Sequence, residues 1–264
     1  MELNYRWKLA DAYFQKNKGK VFSCFACGGG STMGYKLAGF DVVGFLEIDK
    51  RMSDMYTKNH NPKYAFIEGI QTFKDRNDLP AELFELDILD GSPPCSSFSM
   101  SGNREKDWGK EKKFSEGQSL QVLDTLFYDF IDLAEKLQPK VVVAENVTGI
   151  LKGNARDYVR KVINAFDKAG YLVQEFELDS SQMNVPQKRE RVFFIAIRKD
   201  LVELLPGPVG LLFSDFPKLD LKFGRSPIPF DEIRTEGLRD NSWTDHDQYI
   251  WDRRVIGDRK FSDV

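Results

Sequence analysis

The sequence predicts an α/β protein with a doubly wound, mostly parallel sheet and an irregular C-terminal tail. Three observations carry that expectation. Short apolar runs alternate with longer helical patterns from Lys20 to Arg198. Glycine or proline stands at several of the junctions between them, as at Gly28 to Gly30, Pro93, Pro139 and Gly170. Beyond them Pro206, Pro208, Pro217, Pro227 and Pro229 break the alternation.

Each element has its own signal. Leu3, Trp7, Ala10 and Phe14 stand at helical spacing, so residues 1–19 read as a leading helix and its linker. Lys20 to Phe25 is a short buried strand, Gly28 to Gly30 a turn, and a helical pattern follows through Ala38. Val42 to Leu46 is a second strand ending on Glu47. Lys50 to Asn59 is helical and Tyr64 to Phe66 a third strand. Leu86 to Asp90 is the fourth. Leu120 to Leu137 carries Leu123, Leu126, Phe127, Phe130, Ile131 and Ala134 on one helical face, and Pro139 ends it. Val141 to Glu145 is a fifth strand. Ala155 to Ala169 is a helix closed by Gly170, and Tyr171 to Leu178 and Arg191 to Arg198 are the last strands. The chain thus divides into a leading helix (1–19), an α/β domain (20–200) and an irregular segment (201–264).

Bulk properties exclude more than they assign. The 264 residues suffice for one sizeable core, and 41% hydrophobic with 30% charged residues is ordinary globular composition. No apolar run approaches the roughly 20 residues of a membrane helix, and the N-terminus lacks a signal-peptide core, so a cytoplasmic protein without a membrane partner is expected. Three cysteines do not make a disulfide framework. The net charge of −3 neither suggests nor excludes nucleic acid, because a local patch supplies the footprint.

Four strand ends carry chemistry. The first is the glycine loop, Phe22 to Gly34, whose bare backbone lets a ligand approach the start of a helix. It is not a phosphate-binding P-loop, since Tyr35-Lys36 follows the second spaced glycine. Nor is it the dinucleotide fingerprint, since Met33 stands at the last glycine position. Glu47, at the tip of the next strand, suits a ribose through two hydroxyl hydrogen bonds; the competing role is a solvated acid. Cys24 and Cys27 have redox or zinc spacing, but only Cys95 and two histidines, His60 and His246, remain to complete a four-ligand site, and no metal is expected.

The second is Ser92-Pro93-Pro94-Cys95, where two prolines stiffen the backbone behind a lone thiol. A buried inert cysteine is the competing role. The third is Glu145-Asn146-Val147: an acid ending an apolar strand is partly desolvated, which suits a proton or hydrogen-bond donor. The fourth is Gln187-x-Arg189-x-Arg191, which sets two guanidinium groups on one face of an extended segment, suited to a phosphate or a polar base edge.

Taken in this order, the glycine loop with Phe25, then Glu47-Ile48, Pro94-Cys95, Glu145-Asn146-Val147 and Gln187-x-Arg189-x-Arg191 resemble the cytosine-5 DNA methyltransferase family over about residues 20 to 200. The resemblance implies a Rossmann-like methyltransferase fold and S-adenosylmethionine as methyl donor. It implies that Phe25, Gly28, Gly29 and Gly30 bind that donor, with Glu47 on its ribose, Ile48 and Ile70 flanking its adenine and Leu126 lining the same pocket. Cys95 becomes the nucleophile toward cytosine C6, Glu145 the partner of N3, and Arg191 with Arg189 the groups orienting the base carbonyl. The cytosine must leave the duplex to be reached. Ser99, Ser101 and Arg104, on a polar segment with several lysines, and Gln187 are expected at the DNA.

Two departures stand out. Cys27 replaces the family's usual first loop glycine, and Gly69 stands near the acid that commonly meets the adenine amino group. The family's target-recognition domain and closing motifs are not found in residues 201–264. A fragment, or a split enzyme completed by a second polypeptide, explains that. A restriction-modification or self-protection role in a bacterial or phage-infected cell is the expected setting. A catalytic half that is inactive alone and a transfer-RNA cytosine-5 methyltransferase are the alternatives.

Overall fold

The computed structural model describes residues 13–94, 111–112, 121–122, 125–152, 155–202, 219–229, 249 and 253. Its main body is a seven-stranded sheet in the order β3-β2-β1-β4-β7-β9-β8. The strands are β1 (Lys20–Cys24), β2 (Asp41–Leu46), β3 (Tyr64–Phe66), β4 (Ile88–Gly91), β7 (Val141–Val147), β8 (Tyr171–Asp179) and β9 (Glu190–Arg198). Two short strands, β5 (Glu111–Lys112) and β6 (Gln121–Val122), pair separately as an antiparallel ribbon. The helices are α1 (Gly30–Leu37), α2 (Lys50–His60), α3 (Ile70–Lys74), α4 (Leu126–Leu137), α5 (Ala155–Lys168) and α6 (Lys199–Val202).

Strands β3, β2, β1, β4 and β7 run parallel, while β9 is antiparallel to both of its neighbours. The doubly wound, mostly parallel expectation is met. Successive connections carry the chain outward from β1 to β2 and β3, then back to β4 on the other flank of β1. The order therefore reverses between β1 and β4, and such a reversal opens a crevice at the carboxyl ends of the two strands.

Alternation on the strands decides which face forms the core. Phe22, Leu89, Val142, Ala144, Val192 and Phe194 point to one face and join Phe127, Phe130, Ile131 and Ala134 of α4 in one buried cluster. Aromatic rings knit that cluster: Phe22 stacks on Phe73 at 5.7 Å and Phe127 meets Phe194 edge-on at 5.6 Å. Gly91 is fixed by this packing, because a side-chain carbon there would lie 2.6 Å from the Phe130 ring. Asn61, Gln138 and Gly170 just beyond α2, α4 and α5 take left-handed backbone and terminate them.

Three boundaries differ from the expectation by two residues or more. The helix expected from Leu120 begins at Leu126, because Gln121 and Val122 pair with residues 111 and 112 instead. Strand pairing overrides a periodicity that runs on through Leu123. The fourth strand starts two residues late, after a short 3-10 turn over Ala81–Glu85 that ends against buried Leu86. The fifth continues to Val147, carrying Glu145 and Asn146 within the sheet. Tyr13 to Gly19 is not helical; the leading helix otherwise falls outside the described residues. Residues 219–229 have no regular structure, and Leu219 donates its amide to the Gln174 side chain at 2.9 Å. Residues 228–264 form a second unit, in which the Arg253 guanidinium lies over the Tyr249 ring at 4.3 Å.

The opposite edge of the sheet is pinned by Asp87. Its carboxylate accepts the Lys20 amide at 2.6 Å and the Lys140 ammonium at 2.7 Å, tying β1, β4 and β7 together. Partial burial acts to raise its pKa, but the Lys140 and Lys20 bonds outweigh it and hold the group below its ordinary 3.8. A depressed carboxylate contributes stability that is complete above 3.8 and lost as pH falls through the folded value. Asp87→Asn should therefore lower the melting temperature at neutral pH, and that deficit should shrink as melts are repeated toward pH 3. A deficit unchanged with pH would mean the carboxylate charge contributes nothing.

Candidate active site

The crevice between β1 and β4 is lined by the loops that follow them. After β1 the backbone turns sharply: Phe25 and Cys27 are left-handed at φ 53° and 45°, and Gly29 at 87°. An L residue in that region costs about 1–2 kcal/mol, so the loop is held from outside. The Ala26 amide donates to Leu46 O at 3.3 Å, and the Cys27 amide to Glu47 Oε2 at 2.8 Å. Beneath the loop, α2 supplies Tyr56 and His60. A side-chain carbon at Gly29 would lie 2.2 Å from His60 Nε2 and 3.0 Å from Tyr56. At Gly30 nothing lies within 4 Å. The loop is filled from below and bare above, the form a bulky ligand needs for close backbone approach.

Glu47 is 7% exposed, and both its oxygens are engaged: Oε2 by Cys27 and Oε1 by the Asp49 amide at 2.8 Å. Asp49 in turn caps α2 through Arg51 N and Met52 N. The expected ribose acid is thus first a clamp joining the glycine loop to the start of α2. Its remaining lone pairs are free to accept further hydrogen bonds. Ile48 is half-buried, as befits a residue beside a ligand. Ile70 and Leu126, expected in the same pocket, are each only 2% exposed and belong to the core cluster. Both begin helices, and their apolar side chains pack in that cluster. Phe25 keeps partial exposure, its ring 6.2 Å from Phe130.

After β4 the backbone passes through Gly91, Ser92, Pro93 and Pro94. Ser92 Oγ donates to Phe25 O at 3.5 Å, and Asn146 Nδ2 donates to Pro93 O at 3.1 Å. Asn146 is 4% exposed and also accepts the Val147 amide at 2.9 Å. The sequence offered Asn146 only as a neighbour of the acid; its role is to dock the two-proline segment against the end of β7. Cys95, Ser99, Ser101 and Arg104 lie outside the described residues.

Glu145 projects from the sheet face opposite Asn146 and pairs with Arg191, Nε to Oε1 2.9 Å. The pairing follows from register, since Glu145 lies opposite Phe193 and Val147 opposite Arg191 on antiparallel β9. The expectation of a desolvated acid is met only in part, because its side chain is 28% exposed and its partner is a guanidinium. Arg189 and Gln187 are exposed and precede β9; Ser180 donates its amide to Arg189 O at 3.1 Å. Arg189 thus stands one residue before β9, its carbonyl bonded in continuation of the β8–β9 pairing.

Two residues without a functional signal in the sequence reading also belong to this crevice. Asp90 is buried at the end of β4 among three hydroxyl groups. His60 is buried under the glycine loop, where burial and nearby Lys36 push its pKa down, so it is neutral near pH 7. Cys24 is buried in the core and Cys27 exposed on the loop. Among the described residues no group of three or more metal-ligating side chains occurs.

Comparison with known proteins follows the same lines. A family model described as "C-5 cytosine-specific DNA methylase" matches residues 19–259, beyond the point near 200 where the motifs ran out. The Type II methyltransferase M.Sau96I of Staphylococcus aureus is 36% identical over 221 residues, covering 83% of this chain and 48% of that protein. M.DdeI of Desulfomicrobium norvegicum is 33% identical over 214 residues, covering 79% and 48%. The chain spans about half the length of these relatives. Among solved structures, a DNA modification methyltransferase encoded within an Escherichia coli prophage superposes with a TM-score of 0.54 at 25% identity, over 79% of this chain and 52% of that one.

The two faces of the loop give a paired expectation. Gly29→Ala should lower stability by about 3 kcal/mol through left-handed strain and the clash with His60, whereas Cys27→Gly should fall within about 1 kcal/mol of the native chain, strain relief offsetting lost chain rigidity. Chemical denaturation of the two variants checks this; a tolerated Gly29→Ala would mean the loop is not seated on α2.

Proposed function

Because the chain belongs to the C-5 cytosine-specific DNA methylase family, we propose that it transfers a methyl group to C5 of cytosine in duplex DNA. S-adenosylmethionine, the donor this family uses, supplies the methyl group. The observation that carries the reading is the convergence of four separate motifs at one crevice, joined by three contacts. Asn146 holds the Pro93 carbonyl, Arg191 holds Glu145, and the glycine loop touches the same proline segment through Ser92.

The chemistry accounts for the residue types. Cytosine C5 is too weak a nucleophile to displace a methyl group unaided. Addition of the Cys95 thiolate to C6 makes C5 enamine-like, so that its electrons reach the methyl carbon. The addition drives charge toward N3 and O2. Glu145 meets N3, and Arg191, with Arg189 helping, faces the carbonyl. Loss of the C5 proton to a base then expels the thiolate and restores the ring. The cytosine is extruded from the duplex first, at a few kcal/mol. Gly28, Gly29 and Gly30 present bare backbone to the donor, Phe25 and Ile48 give it apolar contact, and Glu47 accepts from its hydroxyls with the lone pairs its clamp leaves. Ser99, Ser101, Arg104 and Gln187 meet the DNA.

The setting we infer is the cytoplasm of a bacterial or phage-infected cell, in a modification or self-protection role. No helix among the described residues is long and apolar enough to cross a membrane. Target choice belongs to elements that read base edges in the grooves. We infer that residues outside the described part of the chain, or a second polypeptide, supply them.

Incubation with DNA and tritiated donor, with and without the segment encoded next, should place label on cytosine C5. No label in either arm, or preferential labelling of transfer RNA, would overturn the reading. Cys95→Ser should abolish turnover yet retain donor binding, and native protein should form a stable adduct with 5-fluorocytosine DNA. Equal loss of both functions in Cys95→Ser would make the cysteine structural. Glu145→Gln should lower the turnover number by about 10²-fold or more, the range of a lost acid–base group, with donor affinity unchanged.

A further inference from the structure

Asp90 is the one buried carboxylate of the crevice that the proposed chemistry leaves without a task. It is the penultimate residue of β4, paired with Ser23 on one neighbouring strand and Val143 on the other. Its Oδ2 accepts from Ser23 Oγ at 3.0 Å and Ser31 Oγ at 2.7 Å, and its Oδ1 from Tyr35 Oη at 3.2 Å. Ser31 and Tyr35 are one helical turn apart, so the same face of α1 presents both. Ser31 directly follows the three loop glycines, and Asp90 directly precedes Gly91-Ser92-Pro93-Pro94. We propose that Asp90 is a positioning residue that locks the first turn of the donor-binding helix to the strand end carrying the nucleophile segment, so that donor binding and presentation of Cys95 depend on one carboxylate.

The chemistry of the cluster supports a device rather than filler. Three hydroxyls converging on one buried site need an acceptor-only partner, and a carboxylate is the side chain that accepts from all three. Burial pushes the Asp90 pKa up despite those bonds, and the nearby Glu145 adds to the rise. Ionised Asp90 is therefore a burden on the fold near neutral pH, of the kind retained at functional sites. Burial and Asp90 itself push the Tyr35 pKa up as well, so Tyr35 stays a donor. Both exits from the crevice are short: one residue separates Asp90 from Ser92, whose hydroxyl reaches Phe25 O. The glycine loop and the proline segment thus meet twice, once through Asp90 and once through Ser92.

The inference rests on the methyltransferase reading, and its test separates the two. Asp90→Asn keeps the size but supplies a single acceptor oxygen. In the free chain, amide hydrogen exchange should quicken together in residues 28–33 and 91–92, with no fall in melting temperature. Titration calorimetry with S-adenosylmethionine should show Kd raised about tenfold, the ratio one charge-assisted hydrogen bond supports. The yield of 5-fluorocytosine adduct at saturating donor should fall as well. Ser31→Ala should reproduce a smaller loosening and should not add to Asp90→Asn, and it carries the test should Asp90→Asn fail to fold. Exchange that quickens in one segment alone, or a lowered melting temperature with Kd within twofold of native, would overturn the proposal. Absence of donor binding or adduct in the native chain would instead overturn the methyltransferase reading, and the exchange result would still decide the role of Asp90.

Discussion

Strands β1 and β4 are hydrogen-bonded neighbours whose onward connections leave toward opposite flanks of the sheet. A reversal of that kind opens a gap at their carboxyl ends. Everything the site contains follows from that constraint. The glycine loop and the proline segment rise from the two lips of the gap, the acid of β7 stands one strand farther on, and the arginine of β9 reaches that acid from beyond it. Four stretches separated by many residues in the chain become neighbours because the strands that end in them are neighbours.

The crevice gathers three carboxylates, and each is neutralised by a different chemistry. Glu47 is held by backbone amides, Asp90 by hydroxyls and Glu145 by a guanidinium. The partners set what each can still do. Amide bonds fix a carboxylate in direction and leave it acceptor lone pairs, which suits a hydroxyl-bearing ligand. Hydroxyls leave Asp90 buried and pinned, able to transmit position between the elements that supply them. A guanidinium pair at the rim keeps Glu145 part-exposed and oriented, so acid and cation are presented together. The polar Nδ1 of His60 is the exception, buried with no hydrogen-bond partner among the described residues. Its neutral ring tolerates that better than a charged one would, and in return it fills the space under Gly29.

The strand ends were legible in the sequence because apolar runs stop abruptly there on residues that seldom end strands for structural reasons alone. Glu47, Glu145, Asn146 and Pro93 all lie where the run endings place them. The burial of Ile70 and Leu126 in the core cluster was not legible, because an apolar residue at a helix start looks the same at the edge of a pocket and in the core. Asp90 was hidden for the opposite reason. Its three partners lie in β1 and α1, some 55 to 67 residues earlier in the chain, so no local spacing could announce them. The late start of α4 was hidden by strand pairing between two short segments whose composition fits a helix as well.

The glycine loop also shows where the stability of the rest is spent. Phe25 and Cys27 adopt backbone that side chains disfavour. The restraint comes from Glu47, from the Leu46 carbonyl and from the rings of Tyr56 and His60, all built on β2 and α2. A loop held this way has given up its conformational entropy during folding rather than on binding. A ligand meeting it forfeits none of its affinity to ordering the backbone. The same logic explains the length of the clamp: Glu47 reaches both Cys27 and Asp49, so loosening α2 at its cap loosens the loop. Shape at the crevice is thus a property of the whole β1–α1–β2–α2 half of the sheet, and the strained residues are where that half is coupled to its ligand.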